Sequence, residues 1–538
     1  MEKTNMYDQP QKIEARKKAL THAVEILTSG REEASVVPKN YIRKVKSHLE
    51  KSEIISDKKA ADICNEETCQ LWESFWEGKN GSKSPNDLVV AYLAGPNPLN
   101  DFNVLVELGV HPHNIYAFES DKKTFNDALL SVKASKYPLL KIIKTSLEKY
   151  LQAVPVVFDI IYFDACGPLP SNSQTTLRTI LNIFRYQRLS PLGVLITNFS
   201  LPDISKQEQL NSYSDLVSNY LYSKRSLESG SIDWNLDDGA IAKGFEPKGS
   251  EESESFFHHV KTDFRNYYGQ YITRQIFDIS SFIAPMGRFA NSEMWKSLFK
   301  ESAVDIAKHA SSLKYFDSEG NGGDYICDTT MFSLGWTATA MEKREIADLN
   351  YPNLDETSAK LVKTWFRELG GLPSPSINMQ TSLDAYNVIR IDESYCMDEF
   401  SELLSGYKYM QNMYMFCDVP SAELALYSVI AQFSYPSHFN VEQTKRFSYI
   451  ADGKQTEMFL DVVVFDTCRY IYDWLPSTEL VEESFSNEGH QLAYRFALDG
   501  LAKHTIRYCN EYFYGANIVG WNHSGFTEKL LTPREKIS

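Results

Sequence analysis

The first part of the chain has its apolar residues at helical spacing. They recur at intervals that place them on one face of a helix, and no strand-like alternation interrupts them. The apolar positions of this pattern are Ile13, Leu20, Val24, Leu27, Ile42, Val45 and Leu49. A polar stretch with glycine and proline, GSKSPN at 81–86, then marks a boundary. Residues 1–85 are therefore predicted to be a helical N-terminal segment, with its helices within 10–78.

From residue 88 the pattern changes to short apolar runs that alternate with helical stretches. The runs are nearly continuous in apolar residues, which is typical of strands buried on both faces of a parallel sheet. Strands are predicted at 88–93, 114–118, 140–143, 158–163 and 193–197. Helices are predicted at 99–108, after the second strand as far as about 133, and at 175–186. Residues 86–203 are therefore predicted to form an α/β core of Rossmann-like type.

Beyond this core the pattern is weaker and divides into two parts. Residues 204–255 include a stretch rich in Asp, Glu, Ser and Gly and are predicted to be a linker or insertion. Residues 256–538 form a large part that is predicted to be mainly helical, with a loop at 320–323. Within it, an Asp452-Gly453 turn lies between two apolar runs near 446–466, which predicts a β-hairpin.

Composition is that of an ordinary globular protein. The chain has 538 residues, of which 43% are hydrophobic and 23% charged, and it is long enough to bury a sizeable core. Its longest apolar stretch is far shorter than the about 20 residues that a membrane helix needs, and its N-terminus lacks the apolar core of a secretory signal. The 8 cysteines are mostly isolated, as in a reducing compartment. The predicted location is cytoplasmic, without membrane contact.

Charge limits the partners that the chain can bind. Its net charge of −16 argues against a protein that coats nucleic acid by charge alone, since phosphate neutralisation needs clustered Lys and Arg. Residues 1–60 carry more basic than acidic side chains, which fits either a local basic groove or a solvated helical face. Cys64 and Cys69 lack a second pair at zinc-ligand spacing, so no metal is predicted.

Candidate site residues follow the predicted strands, because ligands of an open parallel sheet bind beyond the carboxyl ends of its strands. A glycine after the first strand lets a ligand approach the backbone, and an acid after the second can accept hydrogen bonds from ribose hydroxyls. A polar residue after the third can meet an adenine amine, and an acid after the fourth faces the group being transformed. The candidate cofactor-binding residues are Gly95, Asn97, Glu119, Ser146 and Glu148, and the candidate catalytic residue is Asp164.

Two runs of the predicted core resemble the class I S-adenosylmethionine-dependent methyltransferase superfamily: YLAGPNPLNDFNVLVELGVHPHNIYAFESD and FDIIYFDACGPL. In that family the first glycine loop holds the methionine part of the cofactor, the acid after the second strand holds the ribose, and the loop after the fourth strand contacts the methyl acceptor. The resemblance implies S-adenosylmethionine as the cofactor, with Gly95 in the glycine loop, Glu119 at the ribose and Asp164 in the acceptor loop. It also implies that the two antiparallel strands of the predicted hairpin complete the sheet of the core. The resemblance covers about 88–198, a fifth of the chain.

Other interpretations of these residues stay open. Glu119 and Asp121 are also suited to cap the helix that follows them, and Gly95 is also suited to a simple turn. Pro96 and Pro98 depart from the several glycines of the family and remove two backbone N–H donors from the loop. This departure favours altered or lost cofactor binding.

The leading prediction is a methyltransferase with a macromolecular acceptor, for which nucleic acid, DNA or RNA, is the first candidate and protein the second. The methyl group would pass from S-adenosylmethionine to a nitrogen or oxygen that Asp164 orients or deprotonates. The alternative is a non-catalytic scaffold subunit with the same core, whose C-terminal part binds partner proteins. A nicotinamide-dependent oxidoreductase ranks last because Gly-x-Gly-x-x-Gly is absent.

Overall fold

A computed structural model describes most of the predicted core and parts of the remaining chain. The described residues are 9–171 except 52 and 54, 175–228, 251–280, 435–469 and 531–538, with short pieces between 245 and 398. Most of the helical part predicted at 256–538 lies outside them. No helix within the described segments is both long and apolar enough to cross a membrane.

Helices fill the N-terminal segment, and strands alternate with helices from residue 90 onward. The helices are α1 (Pro10–Leu27), α2 (Arg31–Ala34), α3 (Tyr41–Leu49), α4 (Ile55–Ile63), α5 (Glu66–Asn80), α6 (Leu99–Glu107), α7 (Lys122–Lys133), α8 (Leu147–Ala153), α9 (Thr175–Arg185), α10 (Gln207–Glu228), α11 (Ser253–Thr262) and α12 (Phe264–Asp278). The strands are β1 (Val90–Leu93), β2 (Ile115–Phe118), β3 (Lys141–Ile143), β4 (Phe158–Asp164), β5 (Leu189–Ser200), β6 (Tyr315–Phe316), β7 (Gly322–Gly323), β8 (His438–Ile450), β9 (Glu457–Asp466) and β10 (Glu535–Ile537). The five strands predicted for the core are all present.

One sheet of eight strands has the order β10-β8-β9-β5-β4-β1-β2-β3. Strands β1 to β5 are parallel to one another, whereas β9 runs antiparallel to both β5 and β8, and β10 is parallel to β8. The order 3-2-1-4-5 of the parallel strands is that of a doubly wound sheet. The protein is therefore of mixed α/β class, with a mostly parallel, Rossmann-like sheet.

The hairpin predicted near 446–466 completes the sheet, as expected. Strands β8 and β9 form an antiparallel pair around the Asp452-Gly453 turn, and β9 pairs with β5, so distant parts of the chain complete the sheet.

Helix α8 is missing from the sequence prediction because its seven residues are too few to show a helical period. Gly322–Gly323, predicted to lie in a loop, pair with Tyr315–Phe316 in a short antiparallel ladder.

Helix α1 packs directly on one face of the sheet, against β5, β8 and β9. Ala15, Ala19 and Ala23 are spaced four residues apart, lie on one helix face and are fully buried, so their small side chains allow a close approach. At the start of the helix, Gln9 Nε2 donates to the backbone oxygen of Asp452 at 2.6 Å. The first turn of α1 is thereby held beside the β8–β9 turn, at the edge where the parallel strands end.

Candidate functional site

The three residues on which the sequence prediction depends follow neighbouring strands. Strand β1 lies between β2 and β4 and is in parallel register with both. Gly95 comes two residues after β1, Glu119 comes directly after β2, and Asp164 is the last residue of β4. All three therefore lie along the carboxyl edge of the sheet, where the strand order reverses and where ligands of such folds bind.

The loop after β1 turns at Gly95. Its φ of +54° lies in the left-handed region that favours glycine. The Ala94 N–H donates to Phe118 O at 2.9 Å, and Asn97 O accepts from the Asn100 N–H at 3.2 Å as the chain enters α6. Gly95 therefore serves the turn, and its lack of a side chain also leaves the backbone open to close approach. The backbone of Asn97 forms the entry to the helix.

Glu119 and Asp121 have different roles in the loop after β2. Asp121 is the N-cap of α7, and its Oδ1 accepts from the Thr124 N–H at 2.8 Å. Glu119 is half-buried, its N–H donates to Ile143 O at 3.1 Å, and its Oε1 accepts from the Asp121 N–H at 2.8 Å. The helix cap is therefore Asp121, while Glu119 presents a carboxylate at the edge with one oxygen held by the backbone.

The two candidates after β3 both have structural partners. Ser146 is the N-cap of α8, and its hydroxyl accepts from the Lys149 N–H at 3.3 Å. Glu148 lies within α8, and its Oε1 accepts from Arg178 Nε at 2.9 Å, which ties α8 to α9. These contacts give both residues a role in holding the helices that flank the edge.

Asp164 is the centre of a network that joins four parts of the chain. Its Oδ2 lies 3.3 Å from Lys12 Nζ in α1. Its Oδ1 accepts from Asn198 Nδ2 in β5 at 2.9 Å and from the thiol of Cys166 at 3.4 Å. Asn198 Nδ2 also donates to the hydroxyl of Tyr449 in β8 at 2.8 Å. Both carboxylate oxygens of Asp164 are therefore engaged by donors.

The charge of Asp164 changes the acidity of its neighbours. Desolvation opposes the charge of Lys12, but attraction to Asp164 and the hydrogen bond with it raise the pKa of Lys12. Cys166 is an exposed residue, yet desolvation of its sulfur and the Asp164 carboxylate raise the pKa of the thiol to about 12. Desolvation and the same carboxylate raise the pKa of Tyr449. The thiol and the phenol therefore both keep their protons at neutral pH.

A second ion pair from α1 lies behind the loop after β1. Arg16 Nε donates to Asp101 Oδ1 at 2.6 Å, and both residues are buried. Burial raises the pKa of Asp101, although the Arg16 charge opposes this change. Asp101 lies in the first turn of α6, where a negative charge is favoured by the helix dipole. Helix α1 therefore contributes one cation to each of two carboxylates near the edge.

A cavity of about 860 Å³ opens beside the Asp164 network. Lys12, Cys166 and Tyr449, which contact Asp164 directly or through Asn198, are in its wall. The wall also includes the end of β5, the start of α10 and the β8–β9 turn, whereas Gly95 and Glu119 are not part of it. The cavity therefore lies at the β4 and β5 half of the carboxyl edge, and Gly95 and Glu119, after β1 and β2, lie outside it.

Four members of the network were not among the predicted site residues: Lys12, Cys166, Asn198 and Tyr449. Asn198 follows the fifth predicted strand, so the same rule that selected Asp164 also points to it. Lys12 and Tyr449 carry no such local signal, because their position depends on how α1 and β8 pack against the core.

The described residues include no group of three or more His, Cys, Asp or Glu side chains that could hold a metal ion. Cys64 and Cys69 are buried with their sulfur atoms 3.9 Å apart, and desolvation together with the neighbouring Cys69 raises the pKa of Cys64 to about 12.

The chain matches no protein-family model, and no curated protein matches it. A functional assignment therefore depends on the fold and on the geometry of the carboxyl edge.

Proposed function

We propose that the protein is an S-adenosylmethionine-dependent methyltransferase of Rossmann-like fold, with a macromolecular acceptor. The observation that carries the proposal is the strand order, in which an antiparallel pair, β8 and β9, completes five parallel strands. The class I methyltransferase resemblance of the core leads one to expect such a completed sheet. The carboxyl edge then supplies a glycine turn and two acids on neighbouring strands, at Gly95, Glu119 and Asp164.

The part of the carboxyl edge at β1 and β2 suits the adenosyl part of the cofactor. The left-handed turn at Gly95 offers backbone without a side chain, and the Asp121 N–H orients the Glu119 carboxylate. The second oxygen of Glu119 can then accept a hydrogen bond from a ribose hydroxyl. When bound, S-adenosylmethionine supplies the methyl group. The nearby cations Lys12 and Arg16 are each neutralised by a carboxylate, so the donor set is compatible with a positively charged sulfonium.

The geometry favours a positioning role for Asp164 over a role as general base. A base needs an oxygen within hydrogen-bond reach of the substrate proton, and both oxygens of Asp164 already have donors. The carboxylate instead fixes the directions of Lys12 and Asn198 and, through Asn198, of Tyr449. Methyl transfer depends mainly on such positioning of the acceptor, because the displacement needs the reacting atoms in line.

Calorimetric titration of the full chain with S-adenosylmethionine tests the proposal. We expect micromolar binding, and we expect Glu119→Ala to weaken it at least about tenfold, since a buried hydrogen bond to a charged group is worth about 1.5–3 kcal/mol. Glu107→Ala is the matched control, because Glu107 is exposed at the far end of α6. Nicotinamide adenine dinucleotide serves as the control ligand. No heat with S-adenosylmethionine at millimolar concentration contradicts the proposal.

A second candidate is the non-catalytic scaffold with the same fold. Pro96 and Pro98 remove two N–H donors from the loop after β1, and both oxygens of Asp164 accept from side chains of the protein. These observations favour a core that has kept its shape and binds partner proteins through its C-terminal part. Absence of cofactor binding in the same titration supports this candidate. Micromolar binding of S-adenosylmethionine contradicts it, because the scaffold is assumed to have lost cofactor binding.

A further inference from the structure

The cavity beside Asp164 has a buried floor with one prominent polar group. Tyr449 is 2% exposed, and Ser200 and Leu201 beside it are also buried. The Tyr449 oxygen already accepts from Asn198 Nδ2, so its own proton remains to be donated elsewhere. Its raised pKa keeps that proton in place at neutral pH. The floor therefore combines apolar surface with hydroxyl groups, among them the buried Tyr449 hydroxyl.

The rim of the cavity carries exposed cations, although the net charge of the whole chain is −16. Arg265 and Lys454 are exposed at the rim, and Lys12 lies deeper in the wall. Arg265 has one ion pair, 3.3 Å from Glu457, and its side chain is 49% exposed, so this pair constrains it only weakly. The acid of the wall, Asp203, has its own cation in Lys206 at 3.2 Å.

We infer that this cavity binds one nucleotide unit of a nucleic acid, with the base on the Tyr449 floor and the phosphate between Arg265 and Lys454. The volume of about 860 Å³ falls within the usual range for sites that enclose a small molecule. Every base has an apolar face and hydrogen-bond acceptors for the tyrosine hydroxyl, and enzymes that modify a base commonly take it out of the stack into such a pocket. The inference rests on the proposed function, because it names the acceptor class for that edge.

The same features disfavour a basic side chain of a protein as the acceptor. A lysine or arginine that entered the cavity would pass the exposed cations Arg265 and Lys454, and the nearby acids Asp164 and Asp203 are already paired. Like charges at short range repel, and burial strengthens the repulsion. A phosphate at the rim, in contrast, gains charge-assisted hydrogen bonds from exposed cations that can adjust their positions.

Fluorescence anisotropy with short labelled single-stranded RNA and DNA tests the inference on the full chain. We expect the double variant Arg265→Ala/Lys454→Ala to weaken binding by about tenfold or more at low salt and to reduce the slope of log affinity against log salt by about one per cation removed. Lys58→Ala/Lys59→Ala, at exposed positions of α4, is the charge-matched control and should bind as the wild type does. Tyr449→Phe should weaken binding several-fold without changing the salt slope.

Each result decides one of the two proposals separately. If both double variants bind nucleic acid equally well, or if Tyr449→Phe binds as the wild type does, the cavity is not a nucleotide site, even where S-adenosylmethionine binds. If a polyglutamate peptide displaces the RNA as well as unlabelled RNA does, the rim recognises charge alone and the assignment to a nucleotide is wrong. If the rim variant loses affinity and the titration with S-adenosylmethionine gives no heat, the nucleotide site stands and the proposed methyl transfer falls.

Discussion

Two aspartates at opposite ends of β4 show how the two edges of the sheet differ. At the amino end, Asp159 is 1% exposed, and its Oδ1 accepts from Lys83 Nζ and Ser190 Oγ, both at 2.7 Å. Its Oδ2 accepts from the backbone N–H of Val89 at 2.8 Å. At the carboxyl end, Asp164 is half-buried, and its donors among the described residues are all side chains.

The amino edge repeats the first arrangement at Asp466. This residue is 1% exposed, its Oδ2 accepts from the Val36 N–H at 2.9 Å, and its Oδ1 accepts from the Cys468 N–H at 2.7 Å. A backbone donor cannot leave its acceptor unless the chain itself moves, whereas a side-chain donor can rotate toward a ligand. The comparison indicates that carboxylates of the amino edge hold the fold together and that the carboxylate at the other end of β4 can exchange partners.

The largest expected effect is on stability, from Asp159→Asn. The amide cannot accept from lysine, serine and backbone donors at once, so at least one buried donor loses its partner. We expect a loss of about 3 kcal/mol in the free energy of unfolding, measured as a lower urea midpoint. Asp127→Asn, at an exposed position of α7, is the control and should leave the midpoint unchanged.

The next effect is a pH dependence at the amino edge. His438 lies opposite Asp466 in the β8–β9 register, and burial lowers its pKa from 6.5 to about 3. As the pH falls below 6.5, the unfolded chain binds a proton that the folded chain does not, so stability decreases by about 1.4 kcal/mol per pH unit from this group. The loss continues until the pH approaches the folded pKa.

Melting temperatures between pH 7.5 and 5 measure this dependence. We expect His438→Gln to melt with a shallower decline toward acid than the wild type, because the titrating group is gone. His258→Gln, at an exposed position of α11, should keep the slope of the wild type. Equal slopes for the wild type and His438→Gln would show that this histidine does not couple protonation to folding.

A smaller effect on stability is expected from Asp164→Asn. The asparagine can still accept from Asn198, and Lys12 borders the cavity, where water can solvate its charge. We therefore expect a loss of about 1 kcal/mol or less in the free energy of unfolding, in the same urea assay as for Asp159→Asn. If the two substitutions at the ends of β4 cost the same, the distinction between the two edges fails.

Much of the fold could be predicted from the sequence because a buried parallel strand needs a continuous apolar run. The apolar run at 158–163 predicts β4, and the Asp452-Gly453 turn between two apolar runs predicts the antiparallel pair β8 and β9. Strand β5 starts at Leu189, earlier than predicted, because Ser190 and Pro191 interrupt its apolar pattern. That this pair completes the sheet was expected from the family resemblance and not from the local pattern, because the contacts join residues hundreds of positions apart.

A site residue could be predicted from the sequence only where it directly follows a predicted strand. Asp164 and Glu119 follow from the rule that side chains after parallel strands meet at one edge. The same rule selected Ser146 and Glu148, although a cap and an ion pair with Arg178 already engage them. Lys12 could not be found in this way, since its approach to Asp164 depends on the packing of α1 on the sheet.

The smallest expected effect is on the reactivity of Cys166, and it tests the charge of Asp164 directly. Only the thiolate reacts with iodoacetamide, and a pKa of about 12 keeps this fraction very low at pH 8. Asp164→Asn removes a negative charge beside the sulfur and leaves Lys12 facing it, so the pKa falls, although desolvation of the sulfur remains. We expect alkylation of Cys166 to become about three- to tenfold faster, followed by mass spectrometry of its peptide. Glu119→Gln is the control at the same edge, and if it accelerates alkylation equally, the effect does not come from the carboxylate at the end of β4.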